Sequence, residues 1–521
     1  MASTTIHRKA NGAAYLYSVE SYWDKEKKAP RNKQVCLGRL NEETGEVIPS
    51  KRMSRREKGA ENPPENPPEI QANAKVHGPY ALLMKVAKDV GLLSMLKRSF
   101  PSLHEEILSL VFFFVQKGFA LSRCERWSEN NEHPCGHPLS SQQVSTLLKS
   151  ITENDRQHFL SLWLKQLSET EMLCYDITSI SSYAKSNEYV RWGKNRDNEA
   201  LPQINLAMLF GQERGLPAYY RRMPGNISDV STLETTIKSL DYLGKVKLQF
   251  VLDRGFYSEK NVDALLDKRY HFILMVRGDL VWVRKIIDQH IESITSPEHY
   301  RQTSEDEALF MVSHLHRWGN RRCYVHLYYN ASRAAEDYDK LTRKLVICKE
   351  ELETENLNTE NKDLYERFFI VKRTPKRGLS VTYNEDEIQK YRKRYAGFFC
   401  IMTNVKMEPE EVLEIYRRKD IVENCFDDLK NGLDMKRLRI HSSEAMDSRL
   451  FIHFLALILM SEVRAVSKTA KALKFMSVRD IMEAMESIVR ITYSGRYGNV
   501  ITEMGPLQRD IIDAFGVELN T

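Results

Sequence analysis

Cysteine is sparse in this chain. Eight occur in 521 residues and no two are spaced Cys-x2-Cys, so neither a disulfide scaffold nor a zinc ribbon is expected to hold the fold. No apolar leader opens the sequence, which makes a reducing cytoplasm the expected setting. Long hydrophobic runs are also missing. The longest, near Leu110 to Val115 and Phe451 to Met460, read as too short or too interrupted to cross a bilayer of about 30 Å, and as buried helices instead. Excess charge of one sign is small: 77 Lys and Arg against 71 Asp and Glu leave +6, so any basic surface must be concentrated rather than spread. No period of about 20 to 50 residues recurs, which excludes a repeat architecture.

What is present is ordinary for a folded protein, with 42% hydrophobic and 28% charged residues, and the length suggests two to four domains. Three local basic runs stand out: Lys51 to Arg56, Lys372 to Arg377, and Lys390 to Tyr395, where Tyr391 and Tyr395 interleave with the charges as strand-stacking surfaces do. Cys124, His133, Cys135 and His137 cluster, but their steps match no structural zinc spacing and read as a polar loop.

Periodicity divides the chain. Residues 1–58 form a β-rich module, with alternation at Tyr15, Tyr17 and Val19 and a second run at Val35 to Leu40. A proline-rich linker follows at 59–75. Residues 76–168 show helical apolar spacing, and Ser140-Ser141-Gln142-Gln143-Val144 could open either a DNA-recognition helix or a plain bundle helix. An α/β core at 169–277 has strands ending at Asp176, at Ile204 to Phe210, Leu216 to Arg222, Val246 to Leu252 and His271 to Val276, with helices at Ser231 to Leu243 and Ser258 to Lys268. A β-rich insertion at 278–404 carries a charged, helix-prone excursion at Ala334 to Asn361. The core resumes at 405–470, and 471–521 is a C-terminal helical region.

Three acids stand in contexts that suit catalysis. Met172 to Tyr175 and Leu248 to Leu252 are apolar runs that each stop at an aspartate, Asp176 and Asp253, so both acids are expected at strand ends. Glu423 lies in a helix expected over Glu408 to Lys430, where Tyr416, Lys419, Glu423 and Lys430 fall within roughly 60° on one face. A second stripe of Ile415, Val422, Phe426, Leu429 and Leu433 faces a core. Asp427 competes with Glu423 as third acid. Three carboxylates of this kind suit a nuclease that acts on DNA with two hard cations about 4 Å apart, such as Mg²⁺, for which Mn²⁺ can substitute.

With these residues the chain resembles the DDE transposases of bacterial insertion sequences, the group marked by Tyr-x2-Arg-x3-Glu-x6-Lys around its catalytic Glu. The resemblance extends to Pro224 to Leu233, to Asp253-Arg254-Gly255 and to Arg437 to His441 with the apolar helix after it, and covers roughly residues 10 to 465. One departure is Lys419, which stands where that group has Arg: it keeps the charge and loses the bidentate fork. The resemblance implies an α/β, ribonuclease-H-like core interrupted by the insertion, two Mg²⁺ ions on Asp176, Asp253 and Glu423, and phosphate contacts from Tyr416, Lys419 and Lys430. Arg254 reads as a phosphate contact or as the partner of a neighbouring acid. Trp282 and Trp318 read as base-stacking residues or as packing within the insertion. Implied partners are double-stranded DNA, as element ends and target, and a second copy of the chain on that DNA, with neither a membrane nor a small-molecule substrate. The implied setting is the bacterial cytoplasm, at the nucleoid. Two rival readings remain beside it, a ribonuclease-H-like nuclease that never joins ends and an inactive transposase-derived repressor.

Overall fold

The computed structural model describes residues 3–10, 12–24, 29–41, 44–49, 71–118, 120–168, 171–185, 187–243, 247–305, 307–375, 378–494 and 498–519. The basic run Lys51 to Arg56 and the linker up to residue 70 lie outside them, as do Lys376 and Arg377. The chain divides into two compact units, Met1–Asn73 with Thr492–Gly498, and Ala74–Ile491 with Asn499–Thr521.

The first unit contains a four-stranded antiparallel meander of β1 (Ser3–Arg8), β2 (Ala14–Asp24), β3 (Ala29–Leu40) and β4 (Val47–Pro49). Most of its side chains are exposed, with Ala14 and Val19 among the few buried ones. Residues Ala72–Val76 form a short strand, β5, before the helical layer of the second unit begins.

That layer comprises α1 (Gly78–Asp89), α2 (Leu92–Ser99), α3 (His104–Lys117), α4 (Cys124–Asn130), α5 (Ser141–Ser150) and α6 (Glu153–Lys165). Helix α3 buries every residue from Ile107 to Gln116, because it is apolar on all sides and lies inside the layer. Helix α5 begins where expected. Ser140 caps it, and the Gln143 side chain closes the capping box by accepting from the Ser140 backbone at 2.9 Å, so Gln143 is committed to the helix end.

A large mixed sheet follows. Its central part is β6 (Met172–Ser182), β7 (Gln203–Gly211) and β8 (Pro217–Pro224) as an antiparallel meander, then α7 (Asp229–Tyr242), β9 (Gln249–Leu252), α8 (Glu259–Asp267) and β10 (His271–Val276). Strand β9 pairs parallel to β6, and β10 parallel to β9. After α9 (Val281–His290), the strands β11 (Tyr300–Gln302), β12 (Ala308–Trp318) and β13 (Arg321–Tyr329) continue the same sheet. The order is β11-β12-β13-β16-β10-β9-β6-β7-β8, with β16 (Phe398–Thr403) between β13 and β10. Strands β6, β7 and β9 are buried almost throughout, as expected of a sheet covered on both faces.

The segment expected to be a β-rich insertion therefore has two fates. Its strands β12, β13 and β16 complete the main sheet, while α10 (Ala331–Glu353), α11 (Lys362–Phe368), β14 (Phe369–Thr374), β15 (Gly378–Tyr383) and α12 (Glu385–Arg394) gather around a separate small core. Leu345, Cys348, Phe368, Val381 and Ile388 fill that core, and α10 shows its remaining charged surface to solvent.

The second half of the unit contains α13 (Pro409–Arg417), α14 (Asp420–Asp427), β17 (Arg437–Leu438), which pairs with β6, then α15 (Ser443–Thr469), α16 (Val478–Met485) and, near the C-terminus, α17 (Pro506–Phe515). Helix α15 corrects one expectation. At 27 residues it is long and apolar enough to cross a membrane, yet 78% of its most apolar stretch is buried in the protein. It packs on α3, α5 and β8 as the central core helix.

Candidate active site

The register of two parallel strands brings Asp176 and Asp253 together. Tyr175 of β6 pairs with Leu252 of β9, and each is followed directly by its aspartate, on strands that lie about 4.8 Å apart. Asp253 ends its strand as expected. Asp176 does not, because β6 runs on through Ile177-Thr178-Ser179-Ile180, residues suited to a pleated, buried strand. The acid is held within a continuous ladder, where only its side chain is free to adjust.

Asp176 is half-buried, and its Oδ1 accepts from the Ile177 N–H at 2.8 Å. Burial raises its pKa above the ordinary carboxylate value; the Ile177 N–H and the charges of Lys419 and Arg196 oppose the rise, and neighbouring Asp253 adds to it. Asp253 is more closely held. Its Oδ1 accepts from the Arg254 N–H at 2.8 Å and from the Tyr416 hydroxyl at 2.9 Å, and its Oδ2 lies 3.2 Å from Lys419 Nζ. Burial works to raise its pKa as well, but Lys419, the Arg254 N–H and Tyr416 outweigh it and hold the acid below its usual value. Tyr416 is itself raised by burial and by Asp253, so it stays protonated and donates.

The helix expected over Glu408 to Lys430 is broken. Helix α13 stops at Arg417 and α14 starts at Asp420, with Lys419 N bonding back to Tyr416 O and Val422 N to Lys419 O, three residues apart rather than four. A π turn over Asp428–Gly432 ends α14. Tightening at one end and widening at the other rotate the expected stripe apart. Tyr416 and Lys419 face Asp253, whereas Glu423 is exposed on α14 and makes no hydrogen bond or ion pair among the described residues. Among these residues no three His, Cys, Asp or Glu side chains stand close enough to hold a metal.

The remaining candidates divide. Lys430 gives its ammonium to both oxygens of Asp197 at 2.8 Å. Asp427 is exposed and accepts from Asn431 at 2.6 Å, and Asp428 pairs with Arg464. Arg254 is exposed and forms no ion pair among the described residues. Trp282 donates to the Tyr257 hydroxyl at 3.0 Å and stacks on His316 at 4.7 Å, and Trp318 donates to Asp263 at 2.8 Å. Both indoles are half-buried. Of the Cys and His cluster, His133 is buried and hydrogen-bonded to Ser109 and Ser128, with its Nδ1 3.4 Å from Cys135 Sγ.

Two residues near the site escaped the sequence reading. Arg196 pairs with Asp229 at 2.9 Å and its charge reaches Asp176; Asp197 holds Lys430. The signal available was Asp229 itself, which stands in the Pro224 to Leu233 motif. Its partner lies in the loop between β6 and β7, which carries no pattern of its own.

Comparison with known proteins adds three findings. A family model described as the transposase DDE domain matches residues 168–459, a span that contains Asp176, Asp253, Tyr416, Glu423 and Lys430. No curated protein matches. Seven chains of solved structures match. One is a piggyBac transposase in a synaptic complex with hairpin DNA, at 11% identity over 79% of this chain and 77% of that one, with a TM-score of 0.37.

Proposed function

Because the chain belongs to the DDE-domain transposases, we propose that it binds the inverted-repeat ends of a mobile element, cuts the phosphodiester bonds there and joins the freed ends to target DNA. The observation that carries this reading is the Asp176 and Asp253 pair, set side by side by strand register and partly neutralised by Lys419. The order β8-β7-β6-β9-β10, antiparallel for the first three and parallel from β6 to β10, supports a ribonuclease-H-like core.

The donor chemistry fits a hard divalent cation. Two adjacent carboxylates are oxygen ligands of the kind magnesium prefers, with manganese a substitute, and Asp176 Oδ2 takes no hydrogen bond among the described residues. Bound there, a pair of such ions would neutralise the attacking and leaving oxygens of the phosphodiester. Asp176 and Asp253 would hold them, with Glu423 as the third carboxylate by its place in the motif. Glu423 stands outside the pair in this structure, and a shift of α14 at its break from α13 would be needed to bring it in.

Tyr416 fixes the direction of the Asp253 carboxylate. Lys419 neutralises the pair before substrate arrives and then meets a phosphate oxygen, as does exposed Arg254 beside it. Lys430 is assigned to the backbone of the element end, a contact that requires release from Asp197. Trp282 and Trp318 are assigned first to packing, given their hydrogen bonds, and second to base stacking. Joining two ends in one event calls for two copies of the chain on DNA.

The test is incubation of the protein with duplexes that carry the element's ends, Mg²⁺ and a plasmid target. Nicked ends together with joined products support the proposal. Nicks without joining reduce it to a nuclease, and binding without cutting to a repressor.

A further inference from the structure

Between α15 and α16 the chain makes an ordered turn, with Leu473 N bonded to Ala470 O at 3.0 Å and Met476 N to Leu473 O at 2.9 Å. Leu473 is fully buried and Met476 half-buried, so both anchor the turn, and Ser477 with Asp480 closes a capping box directly after it. Phe475 points the other way and is 94% exposed. A rigid turn that buries Leu473 and offers the larger Phe475 to water is not explained by packing.

Between Glu462 and Asp480 the chain carries charge of one sign. From Val463 to Arg479 the sequence holds Arg464, Lys468, Lys471, Lys474 and Arg479 and no acid. Lys468, Lys471, Lys474 and Arg479 are exposed, and Lys474 Nζ lies 5.8 Å from the Phe475 ring. The segment runs beside the Glu423 helix. Arg464 pairs with Asp428, a 190 Å³ cavity is shared by Ile421, Asn424, Arg464 and Lys468, and a 290 Å³ cavity by Asp427, Asn431, Met476 and Arg479. The acids around it are engaged: Asp428 pairs with Arg464, Asp427 accepts from Asn431, Glu462 pairs with Arg214, and Asp480 caps the helix that follows.

We propose that the turn from Lys471 to Phe475 is a contact element for duplex DNA, in which Lys471 and Lys474 meet phosphates and Phe475 wedges against a base step. The partner is fixed by charge complementarity and by the use of apolar wedges on duplexes, where partial unstacking is offset by the surrounding contacts. The inference rests on the DNA-processing reading above and adds a second footprint to it, on α15 and the turn rather than on the carboxylates.

The test is fluorescence anisotropy of the full chain with a labelled duplex of arbitrary sequence over a salt series. Phe475→Ala is expected to weaken binding about tenfold, as loss of a base contact does, with the salt slope unchanged. Lys471→Gln with Lys474→Gln is expected to lower the salt slope by about two. All three positions are exposed, and unchanged melting curves verify folding. Parent-like binding by either variant overturns the proposal, and so does a Phe475→Ala variant that loses self-association in sedimentation while it keeps duplex affinity. A parent chain that fails to bind any duplex removes the DNA reading as a whole; variants that match a binding parent remove only the turn.

Discussion

Lys419 Nζ sits 3.2 Å from Asp253 Oδ2, with the lysine side chain 14% exposed and the aspartate 39%. This ammonium lowers the pKa of both members of a pair of carboxylates that would otherwise repel each other across two adjacent strands. Under the proposed function it stands where a divalent cation would lie. Lys419→Ala should therefore leave the metal-free protein less stable by roughly 1 kcal/mol, the modest figure reflecting solvent at Asp253. It should also gain more from Mn²⁺ than the parent does, because Asp253 then lacks the ammonium that the parent sets against it. Melting curves in chelator and in Mn²⁺ check both. An equal Mn²⁺ gain in parent and variant would show that Lys419 does not compete for the site.

The acids themselves make a second prediction. Asp176→Asn, Asp253→Ala and Glu423→Ala should each lower cleavage of element ends by roughly a hundredfold or more, since charge neutralisation by a held cation contributes several kcal/mol. Duplex binding should persist in all three. Asp176→Asn should in addition raise the melting temperature, because it removes a half-buried charge that faces a second acid. Asp427→Ala is the contrast: it should cut normally, and a loss of cleavage there instead of at Glu423 would transfer the third role to Asp427.

Much of this arrangement is legible in the sequence. His271–Val276 is a strand with the bounds its apolar run suggested, and β7, β8, α7 and α8 follow their expected spans within a few residues. The misreadings share a cause. Asp176 looked like a strand terminus because a carboxylate in an apolar run is costly, yet it is tolerated mid-strand through Lys419, which is distant in sequence. The break at Arg418 and Lys419 was invisible because every residue there suits a helix. What differs is the hydrogen-bond step, and it accompanies the contacts of Tyr416 and Lys419 with Asp253, which is distant in sequence. Asp197 could not be identified at all, since its role depends on a loop 233 residues before Lys430 in the chain.

Acid stability supplies a third prediction. His133 and His326 are 5% and 0% exposed, and burial pushes each pKa from 6.5 down to about 4. Both are neutral in the folded protein, while the unfolded chain takes up a proton at each below about 6.5. Their contribution is thus complete above pH 6.5 and is lost as pH falls towards 4, at about 1.4 kcal/mol per pH unit for each histidine. Urea midpoints at pH 7 and pH 5 test it, and equal midpoints would mean that these imidazoles are protonated or solvated in the native state.

Gly225, inside the Pro224 to Leu233 motif, is required by packing that bears on the site. A Cβ there would stand 2.1 Å from Gln203 O and 2.7 Å from Arg191 O, and one on Gly193 would stand 2.0 Å from Gly225 O. The backbones of three segments meet at this point. The Gln203 amide donates to Gly225 O at 3.1 Å, and Gly225 N donates to Tyr189 O at 3.1 Å. These contacts pin the loop between β6 and β7, which carries Arg196 and Asp197 towards Asp176 and Lys430. Gly225→Ala should cost about 2 kcal/mol or more, because backbone rather than a flexible side chain must yield. It should depress cleavage beyond that loss of stability, even at temperatures where the variant is fully folded. Gly278→Ala, where a Cβ would meet nothing within 4 Å, should alter neither. If Gly225→Ala cuts as well as Gly278→Ala under folded conditions, the loop's grip on Lys430 and Asp176 has no part in the chemistry.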